Sequence, residues 1–304
     1  MKFTIYQESR IGKRASNQDR IAYCYSRDAL LMVLADGMGG HLHGEVAAQI
    51  AVQYLTEYFQ REARTRVADP FLFLSRGLTN AHNAIIDYAA ERGLPEAPRT
   101  TCVACVVQDS VAYWAHAGDS RLYVLRGARV LAQTRDHSRV QMMIDSGQIS
   151  EAEAAHHPSR NRVFSCLGGN QSPQIDFSRK TPLLAGDVVI LCTDGFWSPL
   201  DAKDVIRGFA GTNIMQAAPR LMDQAEAQGG DACDNLSLIA MNWEEDYAEA
   251  TTVGAVQTQT MPPNSHTTQM EGFERSRSGE HDLTDDDIER AIAEIQNAIQ
   301  KFSK

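Results

Sequence analysis

Apolar residues recur along this chain in two rhythms. Short runs rich in Val, Leu, Ile and Tyr fall at 19–25, 29–35, 101–107, 111–117, 121–126, 187–192 and 236–242, bounded by Gly, Asp and Asn, and they predict strands. Between them, 44–61 carries Val46, Ile50, Tyr54 and Leu55 at helical spacing, and 70–91 carries Phe71, Leu74, Leu78, Ile85 and Tyr88. Shorter helices are expected at 201–209 and 213–227. The helices come in groups and the strands as meanders, so strict βαβ alternation is absent. Mixed antiparallel sheets with helices packed outside, an α+β arrangement, fit this order better than a doubly wound parallel sheet. The polar, His- and Arg-bearing stretch 137–169 interrupts the pattern and is expected to be an inserted subdomain over one end of the fold.

After Trp243 the periodicity stops. Residues 244–282 are rich in Thr, Gln, Ser and Glu and are expected to be a flexible linker. Apolar spacing returns at 283–304, where Ile288, Ile292, Ile295, Ile299 and Phe302 form one stripe of an amphipathic helix. Thr284 and Asp287 can form its capping box, and Asp285 and Asp286 suit the positive end of its dipole. An isolated helix of this length is marginal in water, so the stripe needs a partner: the core domain, a second copy of itself, or another protein.

Composition narrows the class. With 43% hydrophobic and 22% charged residues over 304 positions, the chain is ordinary globular protein with room for a substantial core. The longest apolar run, "ALLMVLA", is far too short to span a bilayer, and "MKFTIYQESR" lacks the apolar segment of a signal peptide, so a cytoplasmic location is expected. The net charge of -10 is concentrated in the tail, where 244–304 holds 13 acidic and 5 basic residues, and no basic stripe invites nucleic acid. Six scattered cysteines suit reduced core thiols. Cys102 and Cys105 have CxxC spacing, but on a strand residues three apart face opposite sides, which argues against a shared metal.

Four aspartates share one local setting, each at a strand end beside Gly or Asn: Asp19 in "RASNQD", Asp36 in "LADGMGG", Asp194 in "LCTDGFW" and Asp234 in "DACDNLSLIAM". Four such groups converging at a sheet rim would repel one another unless cations neutralised them. An all-oxygen ligand set selects hard divalent ions, Mg²⁺ or Mn²⁺. One Asp-Gly pair alone would signify only a turn.

With Arg14 upstream, the set resembles the metal-dependent protein phosphatases of the type 2C family, of the bacterial kind. The matching motifs are "RASNQD", "DGMGGHLHGE", "RTTCVACVV", "AHAGDSRLYVLR", "RDHS", "TDGFW" and "DNLSLIAM", in family order over residues 10–242. The resemblance implies an α-β-β-α sandwich of two mostly antiparallel sheets, with a catalytic domain over 1–243 and a flap at 137–169. It implies that Asp36 bridges two metals with help from the Gly37 carbonyl, that Asp194 and Asp234 bind the first metal, and that Asp19 reaches the cluster directly or through water. Arg14 would bind the substrate phosphate, and Asp119 in "GDSR" matches the position of a third, weaker ion.

Two divalent ions sharing an oxygen lower the pKa of a bridging water, and the resulting hydroxide attacks phosphorus while the ions and Arg14 offset charge on the phosphoryl oxygens. The implied substrates are phosphoserine and phosphothreonine proteins, with a cognate Ser/Thr kinase as counterpart. Competing readings are a phosphoprotein-binding module docked by the tail helix, and a phosphatase for small phosphoesters. Met38 stands where eukaryotic relatives carry a histidine proposed as general acid, leaving that role without a residue. Arg121 is expected in a structural ion pair, Asp136 and His137 in local hydrogen bonding, His156 and His157 on the substrate side of the flap, and Glu45 in the first turn of its helix.

Overall fold

The computed structural model describes residues 1–38, 43–154 and 157–244, and the backbone of 257–260. In chain order the elements are β1 (Lys2–Arg10), β2 (Asp19–Tyr25), β3 (Ala29–Asp36), α1 (Gly44–Glu62), α2 (Pro70–Glu91), β4 (Arg99–Thr100), β5 (Cys102–Gln108), β6 (Val111–Ala117), β7 (Arg121–Arg126) and β8 (Arg129–Gln133). There follow α3 (Arg139–Asp145), α4 (Glu151–Ala154), β9 (Leu167–Gly168), β10 (Asp176–Phe177), β11 (Thr181–Pro182), β12 (Val188–Cys192), α5 (Asp194–Trp197), α6 (Ala202–Phe209), α7 (Ile214–Gly229), β13 (Leu236–Glu244) and β14 (Gln257–Thr260).

Two antiparallel sheets carry the fold. One has the order β1-β13-β12-β7-β8, and the other β10-β6-β5-β3-β2-β14 with β11 also on β6. Period-2 alternation then sorts side chains into layers. On β3, Leu30, Met32 and Leu34 enter the apolar layer between the sheets, while Leu31, Val33 and Ala35 pack outward beneath α1 and α2. On β12, Val189 and Leu191 face the same central layer, and Val188, Ile190 and Cys192 pack outward with residues of α5, α6 and α7. Three apolar layers between four structural layers make the α-β-β-α sandwich, and both faces of the central strands are apolar because both are covered. Leu31, Leu34 and Ile190 are fully buried, and each such side chain contributes about 1.5–3 kcal/mol. α2 starts where the sequence supplies a stop-start signal: the Asp69 carboxylate accepts from the N–H groups of Phe71 and Leu72, and Pro70 occupies the first turn.

Cys102 faces the helix-side layer and Cys105 the layer between the sheets, and all six cysteines are free. The sequence pattern misses β1, which pairs along its length with β13. It also misses β8, whose exposed, arginine-bearing strand shows too little alternation. Within the stretch expected to be linker, 257–260 pairs antiparallel with β2. That segment is therefore not linker throughout: an open sheet edge offers backbone partners that composition does not reveal. The segment after "RDHS" carries α3 and α4 and returns through a bridge between Ser138 and Val163 and through β9, which pairs with β4. The expected helix at 283–304 lies outside the described residues.

Candidate active site

The β2–β3 register sets Asp19 directly opposite Asp36 at one end of the sheet. Asp19 is buried. Its Oδ2 accepts from the hydroxyls of Ser237 (2.7 Å) and Thr193 (3.0 Å), and its N–H donates to Asn17 Oδ1 at 3.0 Å. Asp19 Oδ1 is buried with no hydrogen-bond partner. A buried carboxylate oxygen with open lone pairs is what a cation would use.

Asp36 is fixed through its backbone. Its carbonyl accepts from Thr101 N–H (2.8 Å) and the Thr100 hydroxyl (2.8 Å), and its N–H donates to Thr101 Oγ1 at 3.1 Å. Gly37 donates to the Gln18 carbonyl at 3.2 Å, and a Cβ there would lie 2.5 Å from the Gly44 carbonyl oxygen, so only glycine fits the turn.

Asp194 and Asp234 come from the other sheet. Asp194 opens α5 immediately after β12, and its charge acts on the Asp36 carboxyl. Asp234 Oδ1 accepts from Asn235 N–H at 2.8 Å. Asn235 ties this loop to the Arg14 loop, donating to the carbonyls of Ile11 (2.8 Å) and Ser16 (3.0 Å) and accepting from Gln18 N–H (2.9 Å). Arg14 Nη2 meets Asp234 Oδ2 at 2.6 Å, with about half of the Arg14 side chain exposed (55%). Asp119 is buried in the β6–β7 turn.

The electrostatics register the convergence. Burial, then the charges of Asp19, Asp194, Asp119 and Asp234, hold the Asp36 carboxyl well above the usual range, although its residue surface is partly open to solvent. Burial pushes Asp19 up to about 7 against the opposing Ser237 hydrogen bond, and burial followed by the Asp234 charge pushes Asp194 up to about 6. Asp119 is raised by burial and then by Asp194. Arg14 is raised by its hydrogen bond to Asp234. Crowded acids of this kind favour either protons or cations, and an all-carboxylate and carbonyl donor set fits Mg²⁺ or Mn²⁺.

Among the described residues, His116, His137 and Asp176 form the group of three whose ligand atoms lie within 4.8 Å of one another. The hydrogen bonds argue against a metal there. Gly118 N–H donates to His137 Nδ1 (3.2 Å), so the neutral ring carries its proton on Nε2, which faces Asp176 Oδ2 at 3.1 Å and has no lone pair to give.

The other sequence candidates have structural surroundings. Arg121 makes a two-point ion pair with Asp136 (2.9 and 2.8 Å). The His137 carbonyl accepts from Phe164 N–H (2.9 Å), anchoring the following segment, and Glu45 sits in the first turn of α1, accepting from Gln18 Nε2 at 3.2 Å. His157 Nδ1 accepts from Ser159 N–H (3.1 Å) within its own turn, whereas His41 and His156 lie outside the described residues. Sequence reasoning missed Thr193, Ser237, Thr101 and Asn235, which hold the acids. Their signal is a small polar residue interrupting or ending an apolar strand, as in "ILCTDG" and "DNLSLIA".

A model of the family described as protein phosphatase 2C matches residues 6–228. The serine/threonine protein phosphatase PstP of Mycobacterium tuberculosis is 30% identical over 237 residues, covering 78% of this chain. That match spans 44% of PstP, so the chain corresponds to under half of this relative's length. The crystal structure of the serine/threonine phosphatase Stp1 from Staphylococcus aureus superposes with a TM-score of 0.73 at 28% identity, covering 79% of this chain and 95% of that one. A PstP catalytic domain in complex with two manganese ions superposes with a TM-score of 0.68 at 28% identity, covering 80% of this chain and 99% of that one.

Proposed function

The chain belongs to the protein phosphatase 2C family, and on that footing we propose that it is a metal-dependent protein phosphatase acting on phosphoserine and phosphothreonine. The observation that carries this reading is the meeting of Asp19, Asp36, Asp194 and Asp234 at one rim, with carboxyl pKa values raised at Asp19, Asp36 and Asp194 by burial and mutual repulsion. Asp36, the Gly37 carbonyl, Asp194, Asp234 and Asp19 would hold two Mn²⁺ or Mg²⁺ ions, and Asp119 a third, weaker one. Bound ions of this kind supply Lewis-acid stabilisation of the phosphoryl oxygens and lower the pKa of water.

The chain's own groups do the remainder. Asn235 and the Thr100–Thr101 pair hold the acid-bearing loops, so that little reorganisation is required when charge develops. Arg14, on an exposed loop, exchanges its contact with Asp234 for the substrate phosphate and offsets charge on the equatorial oxygens. Met38 carries no exchangeable proton and does not act as general acid. No helix of the described residues is long and apolar enough to cross a membrane. Free cysteines throughout support action in the reducing cytoplasm, on phosphoproteins made by a Ser/Thr kinase, with the apolar stripe that the sequence carries at 283–304 as a docking element.

Hydrolysis of a phosphothreonine peptide by the full chain tests the reading. Activity with Mn²⁺ that is lost with chelator and in Asp36→Asn and Asp194→Asn supports it. Hydrolysis that persists in chelator, or undiminished in both variants, overturns it.

A further inference from the structure

We infer that Trp197 is a positioning residue that locks the Asp119 loop to the helix bearing Asp194, and so sets metal affinity at Asp119; the inference rests on the proposed metal site. Trp197 closes the four-residue α5 that Asp194 opens. Its indole Nε1–H donates to the Asp119 carbonyl oxygen at 3.1 Å. One short helix thus carries an acid of the site at one end and a clamp on a second acid at the other.

The clamp is itself held. The Arg121 guanidinium lies 3.4 Å from the Trp197 ring centroid, close enough for strong cation–π attraction. Arg121 cannot swing away, because Nε and Nη2 engage both oxygens of buried Asp136 and Nη1 donates to the Tyr123 hydroxyl at 3.1 Å. From the opposite side, Gly118 is paired to His137 through its N–H (3.2 Å to Nδ1) and its carbonyl (2.9 Å from His137 N–H), and Ser120 Oγ meets Thr101 Oγ1 at 2.7 Å. The residues before and after Asp119 are therefore pinned to His137 and Thr101 from distant parts of the chain, and Trp197 supplies the link across to Asp194. Asp194 contributes the largest charge acting on Asp119. A cation shared by those two carboxylates would depend on how they are spaced, and Trp197 ties the Asp119 backbone to the short helix that Asp194 opens.

Calorimetric titration of MnCl₂ into the metal-free full chain, paired with phosphopeptide kinetics, tests this. Trp197→Phe keeps a ring beneath Arg121 and removes the N–H. It is expected to weaken the weakest manganese step about tenfold, the scale of an outer hydrogen-bonding partner, leaving the tighter steps and the melting temperature unchanged. In an Asp119→Asn background, Trp197→Phe adds nothing further. Arg121→Lys, which loses the two-point contact with Asp136, shifts the same step in the same direction. An unchanged isotherm in both variants, an equal loss in the Asp119→Asn background, or weakening of every step together with a fall in melting temperature overturns the inference while leaving the phosphatase reading intact. A wild-type chain that takes up no manganese overturns both.

Discussion

Asp19 and Asp36 are register partners at the ends of β2 and β3, so two carboxylates face each other across one strand spacing at the rim of a sheet. A sheet selected for stability alone would not place like charges there. Burial raises both carboxyls, and Asp19 reaches about 7.

The chelated protein is therefore expected to lose stability with rising pH. An acid whose folded pKa exceeds its unfolded value of about 3.9 helps the folded state least when ionised, so for Asp19 the loss sets in above about pH 4 and is complete above about pH 7. Melting temperatures in chelator should fall between pH 5 and pH 8, and Asp19→Asn should melt higher than wild type at pH 8 while losing manganese binding. A lower melting temperature for Asp19→Asn at pH 8 would refute this.

Thr101 is a single hydroxyl serving two loops, accepting from Asp36 N–H (3.1 Å) and meeting Ser120 Oγ (2.7 Å). Thr101→Val preserves the shape and strands both partners. Urea unfolding should show a loss of about 1–3 kcal/mol.

Gly195 follows Asp194 with the Asn235 carbonyl oxygen 2.0 Å from where a Cβ would stand. Gly195→Ala must push the Asp234–Asn235 loop away. We expect a loss of about 1–3 kcal/mol in denaturant melts, together with weaker manganese binding by calorimetry.

Arg14 and Asp234 form an ion pair whose arginine is half in solvent, so its effect on folding is small. Arg14→Ala should leave stability within about 1 kcal/mol of wild type. It should lower kcat/KM for a phosphopeptide by about ten- to a hundredfold, because a charge-assisted contact to phosphate is lost. Unchanged kcat/KM would remove Arg14 from the site.

Much of this was legible along the chain. The β2, β3, β6, β7, α1 and α2 segments follow from apolar periodicity, because strands buried on both faces and helices buried on one leave different repeats. The aspartates were legible as strand-end acids, since the chemistry of a divalent cation restricts the donor type. Sheet order was not legible. Asp234 meets Arg14 across 220 positions, Ser237 reaches Asp19 across 218, and Trp197 reaches Asp119 across 78. Local periodicity states only which face of a strand is buried; which strand becomes its neighbour, and hence which hydroxyl, amide or indole arrives beside each acid, is decided by packing of the whole sandwich.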